Sequence, residues 1–314
     1  MLDQITPIIL TYNEAPNIGR TLERLSWAKD IVVVDSFSDD QTLAIVERTP
    51  QARVFQRKFD CHENQWNFAL KETNITSEWV LALDADYVLT PGLVEELRTL
   101  EPVAEISAYE ARFVYYVGGR PLRGSAYSPV TVLYRREGAS YQGDGHTLRL
   151  TIQGECAELR APIMHDDRKS LDHWLRAQAR YMKLESKKLA AAESSELGWA
   201  DRVRKMRIIA PFAIVLYCLF VKGAIRDGRP GFYYAFQRMI SESILSLYLI
   251  EQALAGEEEV EPDQAEALTE ASESQPDEQE LKPEQAESLT EGSENESELD
   301  QTVVPTEGFE KQPD

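Results

Sequence analysis

The chain has 314 residues and a hydrophobic content of 43%, which is enough to bury a full core. Its formal net charge is −21, but residues 257–314 contain 21 acidic residues and two lysines, so this tail carries 19 of the net negative charges and the body is nearly neutral. The total charge therefore indicates no ligand class, and the three scattered cysteines exclude a disulfide framework or a four-ligand zinc site and favour a reducing compartment.

The first hundred residues alternate short apolar runs with amphipathic stretches, which is typical of βαβ units around a mostly parallel sheet. The N-terminus has no basic region before its first apolar run, so we interpret that run as a strand and not as a signal peptide. Asn17 is the expected cap of the first helix, and Pro91 is expected in the first turn of the fourth. We predict strands at residues 5–10, 30–35, 52–56 and 79–84, and helices at residues 18–25, 41–48, 63–71 and about 91–100.

The pattern of residue types changes twice after the first hundred residues. Residues 107–163 contain aromatic and β-branched runs broken by glycine, which predict hairpins and loops that extend the sheet. From residue 170 the pattern becomes helical and amphipathic. We therefore predict an α/β domain over residues 1–168 and a helical region over residues 169–255.

The segment 208–221 is the most apolar of the chain. Its 14 residues fall short of the ~20 that cross a bilayer as a helix. Lysines and arginines flank it on both sides, which suits a helix lying among anionic headgroups, and a second apolar stretch follows. We predict association with a membrane surface; the alternative is a buried core helix with a solvated basic rim.

The tail, residues 256–314, is rich in Glu, Ser, Gln and Pro and poor in aromatic residues. Such a composition cannot bury enough apolar surface to offset chain entropy, so we predict disorder. The stretch "EPDQAEALTEASES" recurs as "KPEQAESLTEGSEN" with a period of 21 residues. One degenerate duplication does not make a solenoid, so we interpret the tail as solvating or as binding a protein partner.

Three polar motifs follow predicted strands. "TYNE" follows the first strand, "DSFSDD" the second and "DAD" (Asp84 to Asp86) the fourth. In a parallel sheet all three lie at one edge, where α/β proteins bind ligands. A cluster of acids repels a phosphorylated ligand unless a cation intervenes, so the cluster indicates a divalent metal ion. Taken alone, the D-x-D pair is also compatible with a turn that ends in an aspartate at a helix start.

The order "TYNE", "VVVDSFSDDQT", "NQWNFAL" and "LALDADYV" resembles family 2 glycosyltransferases of the GT-A fold, a Rossmann-like mixed sheet, and particularly the lipopolysaccharide core β-glucosyltransferases. The resemblance covers about residues 5–100 and continues weakly to "GAIRDGRPGFYYAF". It implies inverting transfer of a sugar from a nucleotide-diphospho-sugar, with a UDP-sugar favoured, to a hydroxyl of a surface glycan or glycolipid.

The resemblance also implies roles for individual residues. Asp35 would bond the base, and Asp84 would face the ribose or the donor sugar and stand beside the metal. Asp86 would hold Mg²⁺ or Mn²⁺ on the diphosphate. The side chains implied to shape or line the nucleoside and donor pocket are Thr11, Tyr12, Glu14, Gln65 and Asn67, the last two being equally compatible with ordinary polar helix surface.

Two departures from the family pattern concern the acceptor side. Where relatives carry a carboxylate after a histidine, this chain has "QGDGHTLR", so Asp144 is the candidate general base or a turn aspartate, and His146 bonds the acceptor or diphosphate or is structural. "DADY" carries Tyr87 where the subgroup often has glutamate. His165 in "APIMHDD" is a candidate further metal ligand or a polar loop histidine.

The main functional hypothesis is a cytoplasmic glycosyltransferase, peripheral on the inner face of the plasma membrane. A nucleotidyltransferase is the alternative enzyme class, although it would normally show a glycine-rich basic loop after the first strand. A catalytically degenerate nucleotide-sugar-binding scaffold is the third hypothesis. We expect no nucleic-acid binding, because the basic residues flank an apolar segment and form no platform with aromatic residues.

Overall fold

The computed structural model of the chain describes residues 1–144, 147–193 and 197–258, with the backbone alone at residues 144, 147 and 256–258. Met1–Leu249 form one compact unit, and the described residues from Ile250 to Glu258 belong to a second. Residues 259–314, which are most of the acidic tail, lie outside the described residues, so the disorder and partner binding of the tail stay predictions. The domain boundary between residues 168 and 169 likewise stays a prediction.

The elements of the first part agree closely with those predicted from the sequence. The α-helices are α1 (Ile18–Arg24), α2 (Thr42–Val46), α3 (His62–Glu72), α4 (Pro91–Thr99), α5 (Leu171–Ala191), α6 (Trp199–Lys205), α7 (Ala210–Leu216) and α8 (Arg229–Glu258). The strands are β1 (Ile5–Thr11), β2 (Ile31–Asp35), β3 (Ala52–Gln56), β4 (Trp79–Asp84), β5 (Tyr87–Leu89), β6 (Ile106–Ala111), β7 (Phe113–Val117), β8 (Arg120–Pro121), β9 (Val130–Arg135), β10 (Ser140–Asp144), β11 (Thr147–Thr151), β12 (Glu155–Glu158) and β13 (Ile163–His165).

The main sheet has seven strands in the order β12-β6-β9-β4-β1-β2-β3. Strands β4, β1, β2 and β3 are parallel, whereas β9 runs antiparallel to both β4 and β6, so the sheet is mixed. The register pairs Leu10 with Asp84 and Thr11 with Asp35. The ends of three strands therefore meet at one edge, as the sequence predicts.

The central strands are buried on both faces of the main sheet, which is why they are continuously apolar. Ile9 and Leu83 belong to the core cluster that contains residues of α1 and α4, and Ile8 and Val80 belong to the cluster that contains Trp66 of α3. Burying an aliphatic side chain of this size contributes about 1.5–3 kcal/mol. Successive residues therefore anchor opposite helical layers and fix the register of the edge.

A second sheet, with the order β5-β13-β7-β8, lies beside the end of β4. Strand β5 begins three residues after β4 ends, at a place where the sequence predicts only continuation toward the turn at "LTPG". The register pairs His165 of β13 with Tyr87 of β5 and with Tyr115 of β7. The Asp166 N–H also donates to the Asp86 carbonyl, at 3.2 Å. The strand break therefore brings "DAD" and "MHDD" together.

The helical part packs on the sheets through α8 and the chain before it. The Ser170 hydroxyl caps α5 by accepting from the His173 N–H at 3.2 Å. The apolar segment forms α7 and a π-helical turn over Tyr217–Val221. Cys218 of this turn is buried in a cluster with Tyr115. Among the described residues, we find no helix whose length and hydropathy suffice to cross a bilayer.

Candidate active site

The loops after β1 and β2 interlock at the sheet edge. The Asn13 N–H donates to Ser38 Oγ at 2.9 Å, and the Glu14 N–H donates to Thr42 Oγ1 at 2.7 Å. In return, the Asp39 N–H donates to Asn13 Oδ1 at 3.0 Å. Asn13 has a φ of 52°, a left-handed conformation that asparagine tolerates better than most residues. The "TYNE" loop is thereby held against the second motif.

Asp35 accepts hydrogen bonds from residues of both motifs. Its Oδ1 accepts from Thr11 Oγ1 at 2.9 Å and from Ser38 Oγ at 2.5 Å, and its Oδ2 accepts from the Ser38 N–H at 2.9 Å. The Asp35 and Thr11 side chains are buried, and Tyr12 next to them is partly buried. In this structure Asp35 holds the two loops together, and its contact with a base stays a prediction.

Gln65 and Asn67 of α3 have different surroundings. Gln65 donates to Ser36 Oγ at 2.8 Å and accepts from Arg57 Nη1 at 2.7 Å, so it belongs to the sheet edge. The Asn67 amide donates to the Tyr141 carbonyl at 2.9 Å and accepts from the Tyr141 N–H at 3.0 Å. Asn67 therefore ties α3 to β10, and donor binding by either residue stays a prediction.

Asp86 and His165 meet where β4 leads into β5. Asp86 Oδ2 lies 3.0 Å from His165 Nε2, and both side chains are almost fully buried. The imidazole is surrounded by the rings of Tyr87, Tyr115 and Tyr127, whose centroids lie 5.1, 4.9 and 5.1 Å away. These rings fix the orientation of the histidine. The structure thus brings His165 to the D-x-D motif rather than leaving it in a polar loop.

The pKa values of the two aspartates of the motif are shifted in opposite directions. Burial and the neighbouring charge of Asp86 raise the pKa of Asp84 to about 7. Burial also acts to raise the pKa of Asp86, but the adjacent His165 outweighs it and the net pKa is lowered. For His165, burial acts to lower the pKa, and the Asp86 charge outweighs it so that the net pKa is raised. At neutral pH Asp86 carries the fixed negative charge of the motif.

Lys169 is a site residue that the sequence did not reveal. Its ammonium group contacts Glu14 Oε1, and both side chains are buried. Burial raises the pKa of Glu14 to about 8, against the opposing effect of Lys169. The charges of Asp84 and Asp86 also act on Lys169. The "DDRKS" stretch that follows His165 was the available signal, since the sheet register carries it back to the D-x-D motif.

Hydrogen bonds attach the stretch "DDRKS" to α1 and to the residue before it. Arg20 Nη1 donates to Asp166 Oδ2 at 2.6 Å, and Asn17 Nδ2 donates to Asp167 Oδ1 at 2.9 Å. Asn17 also donates to Glu14 Oε2 at 2.9 Å. Asn17 is the N-cap residue of α1, as the sequence predicts, but its side chain makes no capping hydrogen bond. Its Oδ1, the atom that would accept from the helix, accepts instead from Arg20 Nη2 at 2.9 Å and from the Arg168 N–H at 3.0 Å.

The fit of a divalent cation depends on the Asp86–His165 pair. Among the residues that the structure describes, no group of three or more His, Cys, Asp or Glu side chains is arranged to hold a metal ion. Neighbouring ligands of an octahedral ion bound at 2.0–2.1 Å are roughly 3 Å apart, and Mg²⁺ commonly takes one or two protein ligands together with substrate phosphates and water. The 3.0 Å separation between Asp86 Oδ2 and His165 Nε2 fits two such positions.

The predicted acceptor residues lie on the β10–β11 hairpin. The backbone of Asp144 ends β10, but its side chain and all of His146 lie outside the described part of the chain. The hairpin is fixed to α3, because Glu63 Oε2 accepts from the Gly143 N–H at 2.9 Å. The roles of Asp144 and His146 therefore stay predictions.

A cavity of about 590 Å³ opens beside Lys169. Aromatic side chains of Tyr115, Trp174 and Tyr233 line it together with the polar stretch from Asp166 to Ser170. Its volume falls within the roughly 300–1,000 Å³ range of small-molecule sites. The buried charges of the corner are thus reachable from an open, partly aromatic cavity.

Comparisons with known proteins find similarity in the first part of the chain. Residues 6–125 match the family model described as glycosyl transferase family 2. An uncharacterized glycosyltransferase of Rickettsia bellii (strain RML369-C) is 30% identical over 144 residues, which are 44% of this chain and 48% of the relative. The lipopolysaccharide core biosynthesis glycosyltransferase LpsC of Rhizobium meliloti (strain 1021) is 31% identical over 137 residues, 42% of this chain and 48% of LpsC. The chain spans about half the length of these curated relatives.

Solved structures give only a distant likeness. Staphylococcus aureus TarS 1–349 in complex with UDP-GlcNAc is 16% identical, with 80% of this chain and 92% of that chain covered and a TM-score of 0.43. Glucosyl-3-phosphoglycerate synthase from Mycobacterium tuberculosis, in complex with phosphoglyceric acid, is 15% identical, with 61% and 82% covered and a TM-score of 0.40.

Proposed function

We propose that the chain is a glycosyltransferase, since residues 6–125 match the model of glycosyl transferase family 2. It moves a sugar from a nucleotide-diphospho-sugar, with a UDP-sugar favoured, to a hydroxyl of a surface glycan or glycolipid. The observation that carries the proposal is the buried corner at the end of β4, where Asp86 lies 3.0 Å from His165 and Lys169 contacts Glu14.

The reaction we propose is an inverting displacement. The acceptor hydroxyl attacks the anomeric carbon as the nucleoside diphosphate leaves and gains negative charge. Asp86 and His165 would hold a Mg²⁺ or Mn²⁺ ion, with Asp84 beside it, and the ion would supply positive charge to the diphosphate. Lys169 adds a positive charge fixed by Glu14, which needs no rearrangement during the reaction. Asp144 accepts the acceptor proton and His146 contacts the acceptor or diphosphate.

The donor and acceptor occupy different sides of this corner. The nucleoside lies along the interlocked loops, where Thr11, Tyr12 and Asp35 are found, with Gln65 behind them. We assign the acceptor to the 590 Å³ cavity, because its aromatic walls suit the apolar faces of sugar rings and it reaches Lys169.

A membrane-bound acceptor fits the exposed apolar side of α7 and the π-helical turn. Phe212, Leu216 and Phe220 expose 65, 58 and 63% of their surface, and basic residues such as Arg202 and Lys222 flank them. Apolar side chains with a basic border suit the interface of a bilayer that contains anionic lipids. We therefore propose peripheral association with the inner face of the plasma membrane.

The test of the proposal is hydrolysis of a panel of nucleotide sugars by the purified full chain in detergent, with and without Mn²⁺. Water replaces the missing acceptor, so slow release of one nucleoside diphosphate is expected. Asp86→Ala should abolish the release, and Asp39→Ala, an exposed aspartate at the same edge, should not. Donor binding without release, even when a lipid extract is added as acceptor, would favour the degenerate scaffold. Absence of binding to every donor would refute the assignment.

A further inference from the structure

A second cavity, of about 520 Å³, lies between α6, α7, the π-helical turn and α8. The residues that line it are different from those that form the corner around Asp86. Its rim is apolar and exposed: Trp199, Phe220 and Val221 expose 59, 63 and 72% of their surface. Its floor is charged and buried, because Arg204, Arg238 and Glu242 line it with exposures of 7, 7 and 4%.

The two arginines of the floor have different partners. Arg204 donates to Glu242 Oε1 from Nε at 3.2 Å and from Nη2 at 3.1 Å. Arg204 Nη1 also lies 3.6 Å from Glu185 and 3.3 Å from Asp201. Three carboxylates therefore compensate the Arg204 charge, and they fix this side of the cavity.

Arg238 has no such compensation at contact distance. Its Nε is buried without a hydrogen-bond partner, and its side chain forms no ion pair with any residue in the described part of the chain. Glu242 follows one turn along α8; its Oε1 accepts from Arg204, and its Oε2 is buried without a hydrogen-bond partner. Leaving the buried Arg238 Nε without an acceptor costs free energy, which a bound oxygen acceptor would relieve.

The wall beside Arg238 is also irregular. It is formed in part by the π-helical turn Tyr217–Val221, which contributes Tyr217, Phe220 and Val221. Such turns are rare and occur frequently at functional sites. The turn places apolar side chains around the cavity from its floor to its rim.

We propose that this cavity binds a single-chain amphiphile that carries a carboxylate, with its head on Arg238 and its alkyl chain between the apolar side chains of the rim. One guanidinium without an ion pair matches a singly charged head, and the neighbouring Glu242 repels such a head less than it would repel a doubly charged phosphate. The volume suits a ligand of this size, since small-molecule sites span about 300–1,000 Å³. This site is independent of the proposed sugar transfer.

The test is titration of the delipidated full chain with laurate by calorimetry, without nucleotide sugar. We expect one laurate per chain, and binding at least about tenfold weaker in Arg238→Met, since a charge-assisted hydrogen bond is lost. Arg226→Met, which removes an exposed arginine that does not line the cavity, should bind laurate as the unaltered chain does. Dodecanol should bind at least about tenfold more weakly than laurate for the same reason.

Two further measurements distinguish loss of the laurate site from loss of folding. Because Arg238 is unpaired, Arg238→Met should unfold at the same or a higher temperature without ligand. Ala213→Phe, which fills the cavity and keeps Arg238, should lose laurate binding. Equal laurate affinity in Arg238→Met, equal affinity for dodecanol, or a lowered unfolding temperature of Arg238→Met would overturn the proposal. None of these results would bear on the hydrolysis of nucleotide sugars.

Discussion

The sheet edge and the helical layer both contain buried charges, but they differ in how those charges are paired. At the edge, Asp86 meets His165, Glu14 meets Lys169, and Asp166 meets Arg20, each pair joining two different elements. In the helical layer three acids surround Arg204, yet Arg238 has no ion pair with any residue the structure describes.

This difference indicates two kinds of site. The corner at the edge is organised before any ligand arrives, as catalysis by fixed charges requires. The helical layer presents apolar surface and an arginine with a buried, unpartnered Nε, which suits the ligand proposed above. Each substitution considered next alters one of these regions and should leave the other unaffected.

The largest effect is expected at Lys169. Lys169→Met leaves Glu14 buried without its cation. At about pH 9, above the Glu14 pKa of about 8, the carboxylate is ionised, and breaking this buried ion pair is expected to cost about 3–5 kcal/mol. Denaturant unfolding of the purified chain measures the loss. Lys29→Met is the matched control: it removes the exposed Lys29–Asp3 pair, whose contribution is expected below about 1 kcal/mol.

A double variant separates pairing from packing at this position. Glu14→Gln combined with Lys169→Met removes both charges and should recover most of the lost stability. If Lys169→Met is as stable as the unaltered chain, the pair does not organise the corner.

The next effect is expected at His165. His165→Phe keeps an aromatic ring among Tyr87, Tyr115 and Tyr127 but removes Nε2. Mn²⁺-supported hydrolysis of the donor should fall by at least about 10–100-fold per folded molecule, with the folded fraction measured by circular dichroism because Asp86 loses its buried partner. His173→Phe, on α5, provides the control. Unchanged Mn²⁺ dependence in His165→Phe would show that the imidazole only packs.

A smaller effect is expected on the helical side. Replacing Phe212 and Phe220 together by serine should weaken binding to anionic vesicles at least about tenfold, because each phenylalanine loses apolar burial in the bilayer. Unfolding stability should change by less than about 0.5 kcal/mol per exposed site. Val103→Ser, an exposed apolar residue elsewhere, is the control. Sedimentation with vesicles measures the effect, and equal binding by all variants would place the membrane contact elsewhere.

The smallest effect concerns pH. Because the pKa of Asp84 is raised to about 7 in the folded chain, the folded state holds a proton that the unfolded state releases from about pH 4 upward. Stability should therefore fall as the pH rises toward 7. Asp84→Asn should flatten this fall when unfolding is followed in chelator at several pH values. Part of the slope should remain, since the pKa of Glu14, raised to about 8, acts in the same direction. A slope unchanged by Asp84→Asn would contradict the assignment.

The sequence predicted the parallel strands because each is a continuous apolar run ended by polar residues. The run 79–84 was placed to the residue, and the adjacency of the three motifs followed from parallel pairing alone. The contact of His165 with Asp86 was harder, because it depends on β5 and β13, strands of three residues each. Strands so short carry almost no periodic signal.

Lys169 was missed for a related reason. It belongs to a charged stretch that reads as a solvated loop, and only the register of β13 turns it toward Glu14. The unpaired Arg238 was equally hidden, because its surroundings come from four helical elements that are separated along the chain. Local patterns predict elements, whereas the pairing of charges depends on which elements meet.

The most direct test of the central claim is a titration of Mn²⁺ into the full chain by electron paramagnetic resonance, with and without UDP. The proposal predicts that one Mn²⁺ per chain is bound in the presence of UDP, and that this binding is lost in both Asp86→Ala and His165→Phe while Asp39→Ala retains it. Equal Mn²⁺ binding in all four proteins would contradict the claim that Asp86 and His165 form the metal and diphosphate site.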